Sequence, residues 1–199
     1  MPVSRTQCRR RHLAVGILTS IAGLIAAHFA WSAPRSNFVL TSGDTKLAAH
    51  FPDRYVLNDF GCSGGNESPP LEWSGAPAGT LSFVVTLFDR DERSTPSGWW
   101  HWVVYDIPSN VTKLAAGAGA LHSNALPPHT LQGRTDLGVD AYHGPCPAKG
   151  DAPHRYVFTI YALNIATLPV SADSSGAMVV STLSEHLLGK AVLVARYGR

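Results

Sequence analysis

Three stretches of this chain are apolar almost from end to end and enriched in β-branched and aromatic residues. They are Ser82-Phe83-Val84-Val85-Thr86-Leu87-Phe88, residues 99–107 and residues 155–163. Such runs read as strands. A strand without polar alternation has both faces covered, so these three belong at the centre of a sandwich rather than in a surface hairpin. Phe38-Val39-Leu40-Thr41 and Leu71-Glu72-Trp73 are shorter strand candidates, and residues 191–197 form a closing strand. Residues 60–70 are a Gly-rich loop ending in Pro69-Pro70, and residues 114–128 an Ala/Gly-rich connection. One helix is expected. Ser174 or Ser175 caps it, Met178, Val179, Leu183, Leu187 and Leu188 recur at helical spacing, and Gly189 stands where a left-handed C-cap residue belongs. Neither an internal repeat nor a second domain is visible.

The first 32 residues have a different character. Arg5, Arg9, Arg10 and Arg11 precede an apolar run over residues 13–30, and Ala30-Trp31-Ser32 offers small residues at the −3 and −1 positions of a signal peptidase site. The expected organisation is a signal peptide, 1–32, cut after Ser32, followed by one domain, 33–199. An uncleaved anchor is the alternative, because the apolar run is just long enough to span a bilayer. Either way the domain is exported, to the periplasm or outside the cell. Arg9-Arg10-Arg11-His12-Leu13 bears a loose likeness to a twin-arginine signal, so the export route stays open. With those four arginines removed, the net charge of +2 becomes −2. No basic run follows Arg11, which excludes a nucleic-acid footprint. Cys8 leaves with the segment. Cys62 and Cys146 remain, an even count in an oxidising compartment, and are expected to pair; two separately buried thiols are the alternative.

Polar groups gather beside the central runs. Asp89 and Asp91 follow the first. His101 lies inside the second, with Trp99 and Val103 expected on its face and Trp100, Trp102 and Val104 on the other. His154 and Tyr156 open the third and share a face. Titratable groups within apolar strands cost free energy unless paired or functional. Imidazoles, carboxylates and a phenol at strand ends would supply donors, acceptors and a proton switch near neutral pH. Taken singly, each has a bland reading as a hydrogen-bonded core histidine or a turn aspartate.

Together they resemble the phosphatidylethanolamine-binding protein (PEBP) family, and most closely its bacterial, Raf-kinase-inhibitor-like branch. The family's Asp-Pro-Asp-Ala-Pro block, short loop and Gly-Trp-Trp-His-Trp are recognisable in Asp89-Arg90-Asp91-Glu92-Arg93 and Gly98-Trp99-Trp100-His101-Trp102. Its Gly-x-His-Arg-Tyr block appears as residues 149–156, ending His154-Arg155-Tyr156, and Asn-x-Ser-Pro-x-Leu-x-Trp as Asn66-Glu67-Ser68-Pro69-Pro70-Leu71-Glu72-Trp73. The motifs fall in the family's order over the whole domain. The resemblance implies a mainly β fold, an antiparallel β-sandwich of PEBP type with a C-terminal helix and short peripheral helices. It also implies a shallow pocket for phosphate-like or carboxylate-like anions, lined by Asp89, Asp91, His101, His154 and Tyr156, with Gly144, Pro145 and Pro147 in its Gly-Pro-rich loop. An imidazolium and a phenol would donate to the anion, and a neighbouring aspartate would favour the protonated histidine. The chain departs from the family where Arg90, Glu92 and Arg93 replace prolines and alanine, where the loop before Gly98 is one residue longer, and where Ala148 replaces proline. The rim is more charged than usual.

The function expected from these residues is non-enzymatic binding of a small anion such as a phospholipid headgroup, possessing no cofactor. Regulation of a protein partner, a protease or a kinase, through the surface is a second reading, and self-association as a homodimer stays open. A third is a metal-assisted hydrolase, since His101, His154 and Asp89 form a two-His, one-carboxylate set, although nothing fixes their spacing locally and no metal is expected. Gly61-Cys62-Ser63-Gly64-Gly65 fits the G-x-S-x-G pattern of hydrolases, but Ser68 before Pro69 is held out of the helical region where that motif needs a helix. Asn66-Glu67-Ser68 and Asn110-Val111-Thr112 are formal glycosylation acceptors.

Overall fold

The structure, a computed structural model, describes residues 37–95 and 97–199. The expected signal segment and its cleavage site lie outside the described residues. Among the described residues, eight strands form two antiparallel sheets. The smaller sheet has the order β1-β2-β5, from Val39–Thr41, Leu71–Ser74 and Lys113–Leu114. The larger has the order β6-β4-β3-β7-β8, from Leu131–Gln132, Trp99–Pro108, Ser82–Asp89, His154–Leu163 and Leu187–Tyr197. Among the described residues no helix is long and apolar enough to cross a membrane.

The three apolar runs became β3, β4 and β7, the middle of the larger sheet, because only there are both faces covered. Phe83, Val85 and Leu87 of β3 face the smaller sheet, in a core with Phe38, Leu71, Trp73, Trp102 and Phe158. Val84 faces outward with Val103, Tyr105 and Leu163, and there Val179 and Leu183 cover them. The sandwich therefore has a large inner core and a smaller outer one under the helical segment.

That segment is shorter than its hydrophobic spacing suggested. Ser175 is the cap, its hydroxyl accepting from the Met178 N–H at 3.3 Å, but the helix (α1) covers only Gly176–Ser181. A 3₁₀ turn follows over Leu183–Glu185, and β8 already begins at Leu187. Gly189 is accordingly not a C-cap. It pairs with Ala162 across the sheet, where a Cβ would come within 2.9 Å of Pro77. Pairing with β7 captured Leu187 and Leu188, whose apolar character fitted either element.

The face of His101 also differs from simple alternation. Leu87 pairs with Trp102 but Phe88 with Trp100, so His101 is the extra residue of a β-bulge. The bulge turns His101 inward against Tyr156, beside Trp102, whose ring meets Tyr142 in the same core. Val103 points to the outer core instead. A second irregularity near Asp106, at φ 57°, returns Ile107 to the inner core.

Candidate functional site

The bulge delivers His101 to a cavity of about 380 Å³ at one end of the sandwich. Strand ends and loops from across the sequence build it. β3 supplies Asp89, its following turn Glu92 and Ser94, and β4 supplies Trp99 and His101. β7 supplies Tyr156, two loops supply Leu57 with Phe60 and Gly144 with Cys146, Pro147 and Ala148, and Leu137 and Arg199 complete the wall. Gly98 is required where the chain enters β4. Its φ is +81°, and a Cβ would collide with the Phe88 ring and the Asp89 carbonyl.

Asp89 organises the buried end. It is 1% exposed, and Oδ1 accepts from the N–H groups of Asp91 (2.8 Å) and Glu92 (3.1 Å), folding the turn after β3 back on itself. Its Oδ2 accepts from His154 Nδ1 at 2.8 Å. Three donors thus converge on one carboxylate, which offsets the cost of burying it. The His154 ring stacks along Tyr156, and His101 meets Tyr156 edge-on, with ring centroids 5.3 Å apart. His101 Nδ1 lies 2.9 Å from the His143 carbonyl, an acceptor, so Nδ1 carries the proton and Nε2 is the ring's free position. Burial holds His101 below its ordinary value despite the Asp89 charge, and burial likewise holds the Tyr156 hydroxyl protonated far above its usual range, Asp89 adding to the effect.

Asp89, His101, Gly144, Pro147 and Tyr156 therefore share one cavity. Asp91, Pro145 and His154 stand outside its lining. Asp91 turns away to Arg155, accepting from the backbone N–H and Nε at 2.8 Å and from Nη2 at 2.6 Å; this guanidinium pulls its pKa down to about 2. Pro145 accepts from the Leu57 N–H through its carbonyl and braces the wall from behind. His154 is one layer back, and lines a smaller depression with Asp151 and Arg155. Gly144 is there for packing: its α-carbon runs so close to Tyr55 and Leu57 that a Cβ would lie 2.1 Å from the Tyr55 carbonyl oxygen.

Sequence reasoning overlooked the rest of the wall. Glu92 is legible only as a departure in a charged rim. Its carboxyl is pushed up by burial, but the N–H and hydroxyl of Ser94, the Arg93 N–H and the nearby His154 together outweigh this and leave it below its ordinary value. Arg199 gives no local signal. Its guanidinium donates from Nε to the Pro147 carbonyl (2.7 Å) and from Nη1 and Nη2 to those of Gly61 (2.6 Å) and Phe60 (3.3 Å). The same two loops are joined by the disulfide Cys62–Cys146, whose Cα atoms are 6.0 Å apart.

Two other sequence patterns find their place. No helix follows Ser63, and the chain from there to β2 is irregular. Asn66 uses its side-chain oxygen to accept from the Gly144 N–H at 2.9 Å, fastening the pocket loop. As for metal ligation, the groups brought together are Asp89, Glu92 and His154, with ligand atoms within 4.8 Å of one another, rather than the set containing His101. Both oxygens of Asp89 are already hydrogen-bonded there.

The two-sheet antiparallel sandwich thus carries at its end a small, polar-floored cavity, the kind of concave site in which proteins hold small ligands. The family model for phosphatidylethanolamine-binding protein matches residues 47–198. UPF0098 protein YbcL of Escherichia coli is 42% identical over 179 residues, covering 90% of this chain and 97% of that protein. UPF0098 protein YbhB, from the same organism, is 44% identical over 158 residues, 79% of this chain and 98% of that protein. The crystal structure of E. coli YbcL superposes with a TM-score of 0.78 at 43% identity, over 81% of this chain and 98% of that one. A PEBP homologue of Chlamydia trachomatis gives 0.68 at 29% identity, over 83% and 99%. The chain belongs to the phosphatidylethanolamine-binding protein family.

Proposed function

We propose that this chain is an exported, non-enzymatic binding protein that holds a small anion, a phosphate-like group or phospholipid headgroup, in the cavity between His101 and Tyr156. One observation carries the reading. His101 has its Nδ1 committed to a carbonyl, which leaves Nε2 for a ligand beside a neutral phenol at the buried end of an otherwise largely apolar cavity. Proton uptake at Nε2 turns the ring into a cationic donor, and an anion in that apolar setting rewards the uptake. Asp89 opposes anion binding less than its charge suggests, because three donors already satisfy it. The arginine-led apolar segment at residues 1–32 and the pairing of Cys62 with Cys146 support export to an oxidising compartment.

Isothermal titration of the chain with inorganic phosphate and with phosphoethanolamine tests the pocket. His101→Ala removes one charge-assisted hydrogen bond and is expected to weaken binding about ten-fold or more. Affinity unchanged by His101→Ala refutes the assignment. Release of product from phosphate esters would refute the non-enzymatic reading, and recovery of uncleaved chain in the cytoplasm would refute export.

A further inference from the structure

Glu92 stands where the Asp89–Arg93 block departs from alanine, and it is half-buried. Its carboxylate bonds within its own turn, accepting from the Ser94 N–H at 2.7 Å. That turn sets it beside Asp89. Donor atoms of Asp89, Glu92 and His154 lie within 4.8 Å of one another, brought from the end of β3, the turn after it and the start of β7. Two carboxylates this close, one of them 1% exposed, repel unless a cation stands between them. Among the described residues no lysine or arginine fills that place. Arg54 pairs with Asp44 and Arg155 with Asp91, and Arg199 is directed at backbone carbonyls. Arg93 borders the neighbouring depression without an ion pair. Their partner is His154 alone, and it faces a third carboxylate, with Nε2 3.7 Å from Asp151 Oδ2. One imidazolium among three carboxylates leaves two negative charges uncompensated.

The donor types say which cation would compensate them. We infer that Asp89, Glu92 and His154 form a site for one divalent transition-metal ion of the zinc class. An imidazole nitrogen with two carboxylate oxygens suits such an ion, whereas calcium and magnesium take oxygen throughout. Ligand atoms around four-coordinate zinc lie about 3.3 Å apart, and Asp89 Oδ2 and His154 Nδ1 already stand 2.8 Å apart. On binding, Nδ1 gives up its proton to solvent and exchanges its bond to Asp89 for one to the ion. Asp89 Oδ1 keeps the N–H groups of Asp91 and Glu92, so the turn survives. Asp151 is placed to accept from Nε2, the arrangement by which a carboxylate fixes the tautomer of a ligating imidazole. Asp89 and Glu92 line the main cavity, so the ion's remaining position opens there to water. The site does not rest on the anion-binding reading, whose contact is His101 Nε2.

Isothermal titration of the chelator-treated chain with Zn²⁺, together with the visible absorption of its Co²⁺ form, tests the site in the unaltered chain and in Glu92→Gln and Glu92→Ala. One ion per chain is expected, and Zn²⁺ should shift the ring resonances of His154 while leaving those of the exposed His122 and His129 in place. Either substitution should weaken Zn²⁺ binding about ten-fold or more and abolish the Co²⁺ absorption. The melting temperature of the ion-free variants should stay close to that of the unaltered chain, since Glu92 bonds only within its turn. No uptake of either ion overturns the inference, as does uptake that both substitutions leave unchanged. If Zn²⁺ affinity is lost only together with melting temperature, Glu92 is a structural residue and the inference falls as well. Phosphate titration in the presence of chelator is read separately, so none of these outcomes decides the anion reading.

Discussion

Asp89 is the point where fold and site depend most on one side chain, and its removal has a calculable cost. In Asp89→Ala, three donors lose their acceptor: the N–H groups of Asp91 and Glu92 and Nδ1 of His154. Hydrogen bonds to a charged group are worth about 1.5–3 kcal/mol each. The two backbone donors sit in half-buried residues and recover water, whereas His154, 5% exposed, does not. The expected loss is about 4 kcal/mol, within the range for breaking a buried pair by removing one partner. Asp89→Asn keeps an oxygen for both backbone donors and sacrifices only the charged contact to His154, so about 2 kcal/mol is expected. For a domain of this size these values correspond to melting temperatures lower by about 8–16 °C and 4–8 °C. Thermal and urea unfolding of both variants at neutral pH measure them. An alanine variant that loses less than about 1 kcal/mol, or an asparagine variant equal to it, would refute the view that Asp89 folds the turn and holds the histidine at once.

Replacing Cys62 and Cys146 with serine opens a loop of sequence separation 84 and should destabilise the oxidised protein by about 4–5 kcal/mol on the chain-entropy account, read by urea unfolding with and without reductant; equal stability of the two forms contradicts it. Gly144→Ala should cost about 3 kcal/mol in the same assay, since its Cβ meets backbone atoms of Tyr55 and Leu57 that cannot swing aside. Sulfate binding should weaken as pH rises from 6 to 8. His101 is held below its ordinary value when the cavity is free, an anion at Nε2 raises it, and the complex therefore takes up a proton between the two values. Sulfate is the suitable probe because its own charge stays fixed, and a pH-independent affinity would remove His101 from the anion's contacts.

Much of the sandwich was legible because β3, β4 and β7 leave no polar face, and burial on both sides is the one environment that accepts such runs. The helix and β8 were confused because Leu187, Leu188 and Gly189 satisfy a helix end and a bulged strand equally well; sheet pairing decided between them. β5 and β6 are two residues long and carry no periodicity at all. Within the site, the motif order located Asp89, His101 and Tyr156, but two aspartates in one block look alike on paper. The fold separates them by giving Asp91 to Arg155 and Asp89 to His154. The face of His101 was misjudged because one extra residue in a ladder reverses the count, and a bulge leaves no mark in composition. Arg199, bonding three carbonyls remote in sequence, had nothing local to announce it.

The clasp made by Arg199 also bears on the order of events during synthesis. The wall needs Phe60, Gly144 and Tyr156, and the guanidinium that fastens its two loops belongs to residue 199. A chain that has not yet reached residue 199 can pair β3 with β4, yet its two wall loops lack the clasp. Fastening of the cavity thus follows the pairing of the central strands in time, and a product cut short of Arg199, however well folded, has an unfastened wall.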